Sequence, residues 1–557
     1  MSLRIGQDAR LGRINVSKLF VGVDVGTGSA RAGIFDREGT LLGVGKHPLE
    51  MWQDDHGHVE QSSAQIWQAV CDAVKGALAA SGADPRDVAG IGFDATCSLA
   101  VMGPEGGLPV GDPDAPERDV IVWMDHRARD QAARINAGDH DVLRYVGGRI
   151  SPEMQTPKLM WLREERPEIY AQAVQFFDLA DFLTWKASGA LERSACTVTC
   201  KWTYLAHEGR WDPEYFHAIG LGDLAEGGFE RIGARIVDPG TPLGAGLTEA
   251  AAAQMGLTPG TPVAAGLIDA HAGGIGTVAA QGGSGDPAHC LGYVFGTSSC
   301  TMTSTREPAF VPGVWGPYFS AMIPGMWLNE GGQSGAGAAI AQLVQLHPAA
   351  AEARDRAQAA GKSVPEFLAD LALEAAGSPS EVAMLADGLH VVPEFLGNRA
   401  PFADLDARAV IVGQGMETGL DSLVALYVAG VCGLAYGLRQ IIEVQAEHGA
   451  PISEISISGG AGAHPVTRQI IADATGRDVV VTRCEEPVLL GAAMLGAVAA
   501  EGFDDLQAAM GAMSQVASRF APAGGAVERL HAARFEAFLT LQSTARSVRE
   551  SMAKAAE

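Results

Sequence analysis

Positive charge is scarce in this chain: 40 Lys and Arg stand against 66 Asp and Glu, a formal net charge of −26 over 557 residues. A surface of that sign repels the phosphates of nucleic acid, so no nucleic-acid partner is expected. Phosphate on a small molecule is not excluded, because a local cradle of N–H groups with Mg²⁺ overrides a distant field. Long hydrophobic runs are also missing. The longest, Leu423 to Leu438, is 16 residues interrupted by Gly430, Gly433 and Gly437. It falls short of the roughly 18 residues a membrane span needs and reads as a buried helix, with no membrane partner. Arg4, Arg10 and Arg13 are followed by no apolar stretch, so the N-terminus does not read as a secretory signal. Cysteine is limited to eight residues, and Cys196 and Cys200 have no matching His or Cys pair nearby in the sequence. That usage points to a reducing compartment and a cytoplasmic location. What remains, 47% hydrophobic and 19% charged, is the composition of a large soluble enzyme of two or more domains.

The informative stretch is Val21 to Asp36. Val21, Val23 and Val25 alternate with small or polar positions, the period of a half-buried strand, and Asp24 is planted among them. Gly26, Thr27, Gly28 and Ser29 form a turn without bulk, where N–H groups and hydroxyls can face a phosphate. Alone, the stretch reads equally well as a plain β-hairpin. About 270 positions later Cys290 to Ser304 repeats the plan, with Gly296, Thr297, Ser298 and Ser299 between two strands. A chain of two halves with matching starts suggests two lobes gripping one polyphosphate from opposite sides.

Between these landmarks, apolar spacing predicts a helix over Gln61–Ala80 and a strand over Val88–Phe93 that runs into Asp94-Ala-Thr-Cys-Ser98, at a strand end where α/β folds gather ligands. Val120–Ala128 reads as a strand ending in Asp125 and Arg127, either a structural ion pair or a substrate contact. Thr156–Leu162 opens a helix with Pro157, and Phe176–Ser188 reads as a second helical stretch. Ser194–Tyr204 reads as strand or loop. Its Lys201 is a surface charge by default, but Cys200, Trp202 and Tyr204 favour a cleft. Asp269 lies in an apolar, glycine-rich run and is either a helix N-cap or a sheltered functional carboxylate, the second being favoured. Glu330 is placed at the end of a strand. Pro393–Phe402 reads as a rigid loop, Asp421–Glu443 as the buried helix, and Ile455–His464 as a strand and glycine turn before a helix from Pro465 to Gly476. A helical tail begins at Val527.

Taken in order, the Asp24/Gly26-Thr27 hairpin, Trp123-x-Asp-x-Arg127, Lys158-Leu-x-Trp-Leu162, the Gly296-Thr-Ser-Ser299 hairpin and Ser458-Gly-Gly-Ala-Gly462 resemble the FGGY family of carbohydrate kinases, from about Lys18 to about Ala500. The resemblance implies a two-lobed, duplicated α/β fold of the actin-like ATPase (ribonuclease H-like) type with the active site between lobes. It divides the chain into an N-terminal sugar domain, 18–283, and a C-terminal ATP domain, 284–545. Asp94-x-Thr-x-Ser98, Lys201, Ile268-Asp-Ala-His271 and Glu330-Gly-Gly-Gln-Ser334 are similar to the pentulose kinases. By that resemblance Asp269 is the catalytic base; Cys97, Trp123, Lys201, Asp269 and Glu330 bind sugar; Gly26, Thr27, Gly28, Gly296, Thr297, Ser298, Gly337, Gly460 and His464 bind ATP; and Asp24 positions Mg²⁺. His464 stands where the family commonly has Asn, and Ala429-Gly430 replaces its usual Glu-Gly. The implied reaction is phosphorylation of ribulose, most simply D-ribulose, by ATP, with L-ribulose, ribitol and xylulose as alternative acceptors; a homodimer is one assembly open to the chain. A nucleotide-driven switch, actin-like or chaperone-like, is the rival class and needs no sugar pocket.

Overall fold

The computed structural model describes residues 18–556. The N-terminal arginines considered above lie outside them. Two sheets organise the chain. The first contains β1 (Leu19–Val25), β2 (Ser29–Phe35), β3 (Leu41–Pro48), β4 (Val88–Ala95) and β5 (Leu267–Ile268) in the order β3-β2-β1-β4-β5. The second contains β6 (Cys290–Phe295), β7 (Ser299–Thr305), β8 (Trp327–Gln333), β9 (Glu454–Ser458) and β10 (Asp478–Thr482) in the order β8-β7-β6-β9-β10, extended by Trp315–Phe319 and Val516–Phe520 at its edges. In both, the first three of the five numbered strands pair antiparallel and the other two join parallel, while the two edge strands of the second sheet pair antiparallel. The repeated hairpin is therefore the visible end of a repeated lobe.

Helix α1 (Ser63–Ser81) covers the first sheet with the predicted apolar stripe, Ile66, Ala69, Val70, Ala73, Val74, Ala77 and Leu78, all buried. Ser62 caps its N-terminus by accepting from the Gln65 N–H, and Gly82 ends it at φ 68°. The second lobe is built around α5 (Leu420–Glu447), a 28-residue helix that contains the predicted Asp421–Glu443. It is long and apolar enough to cross a membrane, yet 72% of its apolar window is buried in the protein, where it packs as a core helix.

Four local readings need correction. Gln175–Asp178 is a strand, paired with Leu99–Met102, and only Leu179–Ser188 is helical. The pair Phe176-Phe177 satisfies a sheet as well as a helix, and the tertiary partner decides. Residues 195–202 form α2 (Ala195–Trp202) rather than strand or loop. Thr and Val give it weak helix propensity, but Ser194 caps it and its side chains are almost all buried, so packing overrides propensity. Strand pairing after Val120 stops at Ile121, and Glu330 lies in the middle of β8, not at its end.

Helix α7 (Pro487–Ala499) lies near the end of the second half but packs on the first sheet, against β1 and β4. The approach is backbone to backbone. A Cβ on Gly22 would come 1.9 Å from the Leu489 carbonyl oxygen, one on Gly92 2.0 Å from that of Ala492, and one on Gly90 2.1 Å from that of Gly496. Those glycines exist for the helix that covers them. A division at residue 283 separates the two sheets and also parts this helix from the sheet it covers.

Candidate active site

The C-terminal ends of β1, β4 and β5 bring three carboxylates together. Asp24 and Asp94 are register partners on adjacent parallel strands. Asp269 opens α3 (Asp269–Ile275) directly after β5, and Ile268, not Asp269, holds the N-cap position. Arg31 donates to one oxygen of Asp24 through Nε at 2.8 Å and through Nη2, and its Nη1 reaches Glu486 at 2.7 Å. Asp94 is fully buried, with no donor to either oxygen. Burial first, then Asp24, raises its pKa well above the ordinary value. Asp269 is pushed up to about 6, again by burial and then by Asp24, against the Ala270 N–H that donates to it and the charges of His271 and Lys201.

A second group adjoins Asp269. Lys201, at the end of α2, has Cys97, Glu330, Tyr318 and Cys200 around its ammonium; burial opposes the charge, but these neighbours raise its pKa well above the ordinary value. Glu330 of β8 is drawn down to about 2: burial works against ionisation, and His271, Lys201 and Arg399 outweigh it. His271 is fully buried, its Nε2 3.4 Å from Glu330 Oε1 and its Nδ1 3.1 Å from Cys196 Sγ. Burial disfavours its charge, but Cys196 and Glu330 raise it to about 10. The cleft thus carries a cation–carboxylate group beside a carboxylate poised near neutrality, the juxtaposition expected of a reaction site.

The glycine turns supply the other wall. Gly296 and Gly337, the first residue of α4 (Gly337–Leu346), are stitched together: the Gly337 N–H donates to the Gly296 carbonyl at 2.9 Å, and those of Ala336 and Ala338 to the Thr297 carbonyl at 2.9 and 3.1 Å. A Cβ added at Gly28 or Gly460 meets nothing within 4 Å, and neither has a positive φ. The fold does not need glycine there, and the empty space above the backbone is free for a ligand. Gly459 is different: at φ 94°, with Phe295 backbone pressed against it, it makes the turn after β9.

The structure assigns local tasks to several predicted residues. Trp123 donates its indole N–H to Thr27 Oγ1 at 3.1 Å, joining its own turn to the first hairpin. Cys97 is buried beside Lys201, and its carbonyl accepts from Gln155 Nε2 at 3.0 Å. Lys158, fully buried, donates to the carbonyls of Val122 at 3.1 Å and Trp123 at 3.5 Å and props that turn. Asp125 and Arg127 are the structural pair: Arg127, with no exposed side-chain surface, ties Asp125 to Glu60, and Asp125 also accepts from the Val59 N–H. His464 caps α6 (Pro465–Thr475), its Nδ1 accepting from the Val466 N–H at 3.2 Å, and its Nε2 lies 3.3 Å from Asp370 Oδ1. Both ring nitrogens are engaged within the protein, so only the ring face is left for a nucleotide.

Arg399 and Tyr318 were not singled out from the sequence. Arg399 belongs to the Pro393–Phe402 loop, is largely buried, and adds positive charge beside Glu330; its one cue is an arginine in a loop bounded by prolines. Tyr318 comes from the edge strand next to β8 and has no cue in the sequence.

Residues 19–276 match the FGGY family of carbohydrate kinases, N-terminal domain, and residues 291–500 its C-terminal domain. The chain belongs to the FGGY family. An FGGY carbohydrate kinase domain-containing protein of Homo sapiens is 45% identical over 508 residues, 90% of this chain and 92% of that protein. The D-ribulokinase of Saccharomyces cerevisiae is 38% identical over 520 residues, 88% of this chain and 73% of that protein. A solved xylulose kinase from Rhodospirillum rubrum superposes with a TM-score of 0.78 at 21% identity, covering 95% of this chain and 99% of that one, which establishes the fold. This FGGY chain therefore has the two-lobed actin-like architecture, and it is a carbohydrate kinase, a phosphotransferase family that uses ATP.

Proposed function

We propose that the acceptor is a pentulose, D-ribulose first, phosphorylated by ATP to ribulose 5-phosphate. The observation that carries the reading is the meeting of Lys201 and Glu330 from opposite lobes beside Asp269. A ketopentose offers a carbonyl and several hydroxyls to such a set, and the 38% identity to a D-ribulokinase supports the choice of sugar. Lys201 donates to carbonyl or hydroxyl oxygen, and Glu330 accepts from hydroxyls. Asp269 takes the proton of the attacking hydroxyl as its oxygen moves onto phosphorus. Gly26, Thr27 and Gly28 on one lobe and Gly296, Thr297 and Ser298 on the other hold the phosphates through N–H and hydroxyl donors. Gly337 and Gly460 leave room for the nucleoside, with His464 at its edge.

The oxygens fit Mg²⁺. Arg31 binds only one oxygen of Asp24, Asp94 has none of its own satisfied, and a hard cation takes carboxylate oxygens and water. Asp24 would hold it, and its charge would offset that of the phosphates.

The test is ADP release measured over D-ribulose, L-ribulose, D-xylulose, ribitol and glycerol. D-ribulose is expected to exceed glycerol by at least about tenfold in kcat/KM, because each buried polar group left unpaired costs about 1–3 kcal/mol. Glycerol or D-xylulose as the best acceptor would refute this assignment. Lys201→Ala should raise KM for the pentulose far more than KM for ATP.

A further inference from the structure

The sequence places no metal-type partner near Cys196 and Cys200, but the fold does. Cys200 on α2, His271 on α3 and Glu330 on β8 come from three distant segments, and one ligand atom from each lies within 4.8 Å of the other two. We propose that these three residues form a zinc-binding site whose occupancy shuts the sugar pocket.

The geometry suits the ion. Two ligands at about 2.0–2.1 Å on a tetrahedral centre stand about 3.4 Å apart, and His271 Nε2 is 3.4 Å from Glu330 Oε1. The same distance is long for an N–H···O bond, and Nε2 is a buried atom without a hydrogen-bond partner. It is aimed at the cluster because Cys196 Sγ engages Nδ1 at 3.1 Å on the far side of the ring. A metal-bound imidazole is usually oriented in this way through its other nitrogen. Thiolate, imidazole and carboxylate together favour zinc over Mg²⁺, whose preference is for oxygen alone. Three protein ligands leave one position for water on the cleft side, where Glu330 keeps 13% of its side-chain surface exposed. Zinc takes the thiolate of Cys200 and an imidazole nitrogen of His271 that carries no proton, so binding displaces a proton from each.

The site itself does not depend on the identity of the acceptor. Its consequence rests on the pentulose reading: a carboxylate that ligates zinc no longer accepts from a sugar hydroxyl, and the ion's charge opposes Lys201 beside it. Zinc and sugar should then exclude each other, while ATP, held by the glycine turns, is unaffected.

The experiment uses the full-length protein, stripped with a chelator and dialysed against Zn²⁺, with Co²⁺ titration followed by absorption. One equivalent of metal and a near-ultraviolet thiolate-to-cobalt band are expected. Cys200→Ser and Cys200→Ala, each checked for native circular dichroism, should lose the band and keep turnover, and Cys196→Ser should weaken binding about 10- to 100-fold. Zinc should raise KM for the pentulose at least tenfold without changing KM for ATP. No stoichiometric metal in the wild type, or an unchanged band in both Cys200 variants, overturns the site; stoichiometric zinc with unaltered pentulose kinetics overturns the closure. If no pentulose is a substrate, the dialysis and the cobalt spectrum still decide the site.

Discussion

The two lobes share a strand order, yet their active ends differ in chemistry. Asp24 pairs with Asp94 in the first sheet, and Val294 pairs with Ser458 at the corresponding places in the second. One scaffold therefore carries buried acids where its copy carries an apolar residue and a hydroxyl. The pattern extends beyond the strand ends. Asp94, Asp119, Asp178, Asp181 and Asp269, the described carboxylates whose pKa is raised, all belong to the first lobe, and burial is the leading cause for each. In the second lobe the shifted carboxylates, such as Glu330, Glu366, Asp370 and Asp404, are moved down by cations and N–H groups. The repeated scaffold thus keeps its raised carboxylates, among the described residues, in one copy only.

Removing the base should have the largest effect. Asp269→Asn keeps the shape of the first lobe and is expected to lower kcat by about 10²- to 10⁴-fold, with KM for ATP nearly unchanged. Near-normal turnover in steady-state assays would detach Asp269 from the reaction. Next comes the pH profile. A base pushed up to about 6 must be deprotonated to work, so log kcat/KM should fall with unit slope as pH drops below about 6, and be level above it up to neutrality.

A smaller pair of effects separates glycines that serve the fold from those that serve the ligand. Gly22→Ala drives a Cβ into the Leu489 carbonyl and should cost about 1–3 kcal/mol, read as a lower Tm with KM for ATP unchanged. Gly28→Ala meets open space and should leave Tm in place while raising KM for ATP. The reverse outcome would exchange the two roles. The smallest effect is a stability slope. Asp178 has a folded pKa of about 8, above its unfolded value, so the stability tied to its proton is present below about pH 4 and is lost as pH rises towards 8. Asp178→Asn should raise Tm by about 2–4 °C at pH 8 and not at pH 4, by calorimetry.

Much of this was legible in the chain. The two hairpins, α1, the glycine turn after β9 and the lone acid Asp269 all announce themselves by local period or composition. What escaped was set by contacts between distant segments. Helix α2 has the side chains of a strand and is helical because of what surrounds it. Arg399, Tyr318 and the Cys196–His271 contact depend on how loops and edge strands are delivered to the cleft, and no spacing within the chain records that. His464, an ATP contact by the family resemblance, has a second task that no spacing records: its Nδ1 accepts from the Val466 N–H in a helix cap, and its Nε2 lies beside Asp370.

Helix α7 has a consequence for how the protein is made. The first sheet presents Gly22, Gly90 and Gly92 as a bare strip of backbone, and the segment that covers it begins at Pro487. During synthesis the N-terminal lobe must wait, uncovered, until nearly the whole polypeptide has left the ribosome. A fragment ending between the lobes would keep that strip open to water and to other chains. The two halves are thus interdependent partners in maturation, and neither is a portable module to be cut at the midpoint and moved.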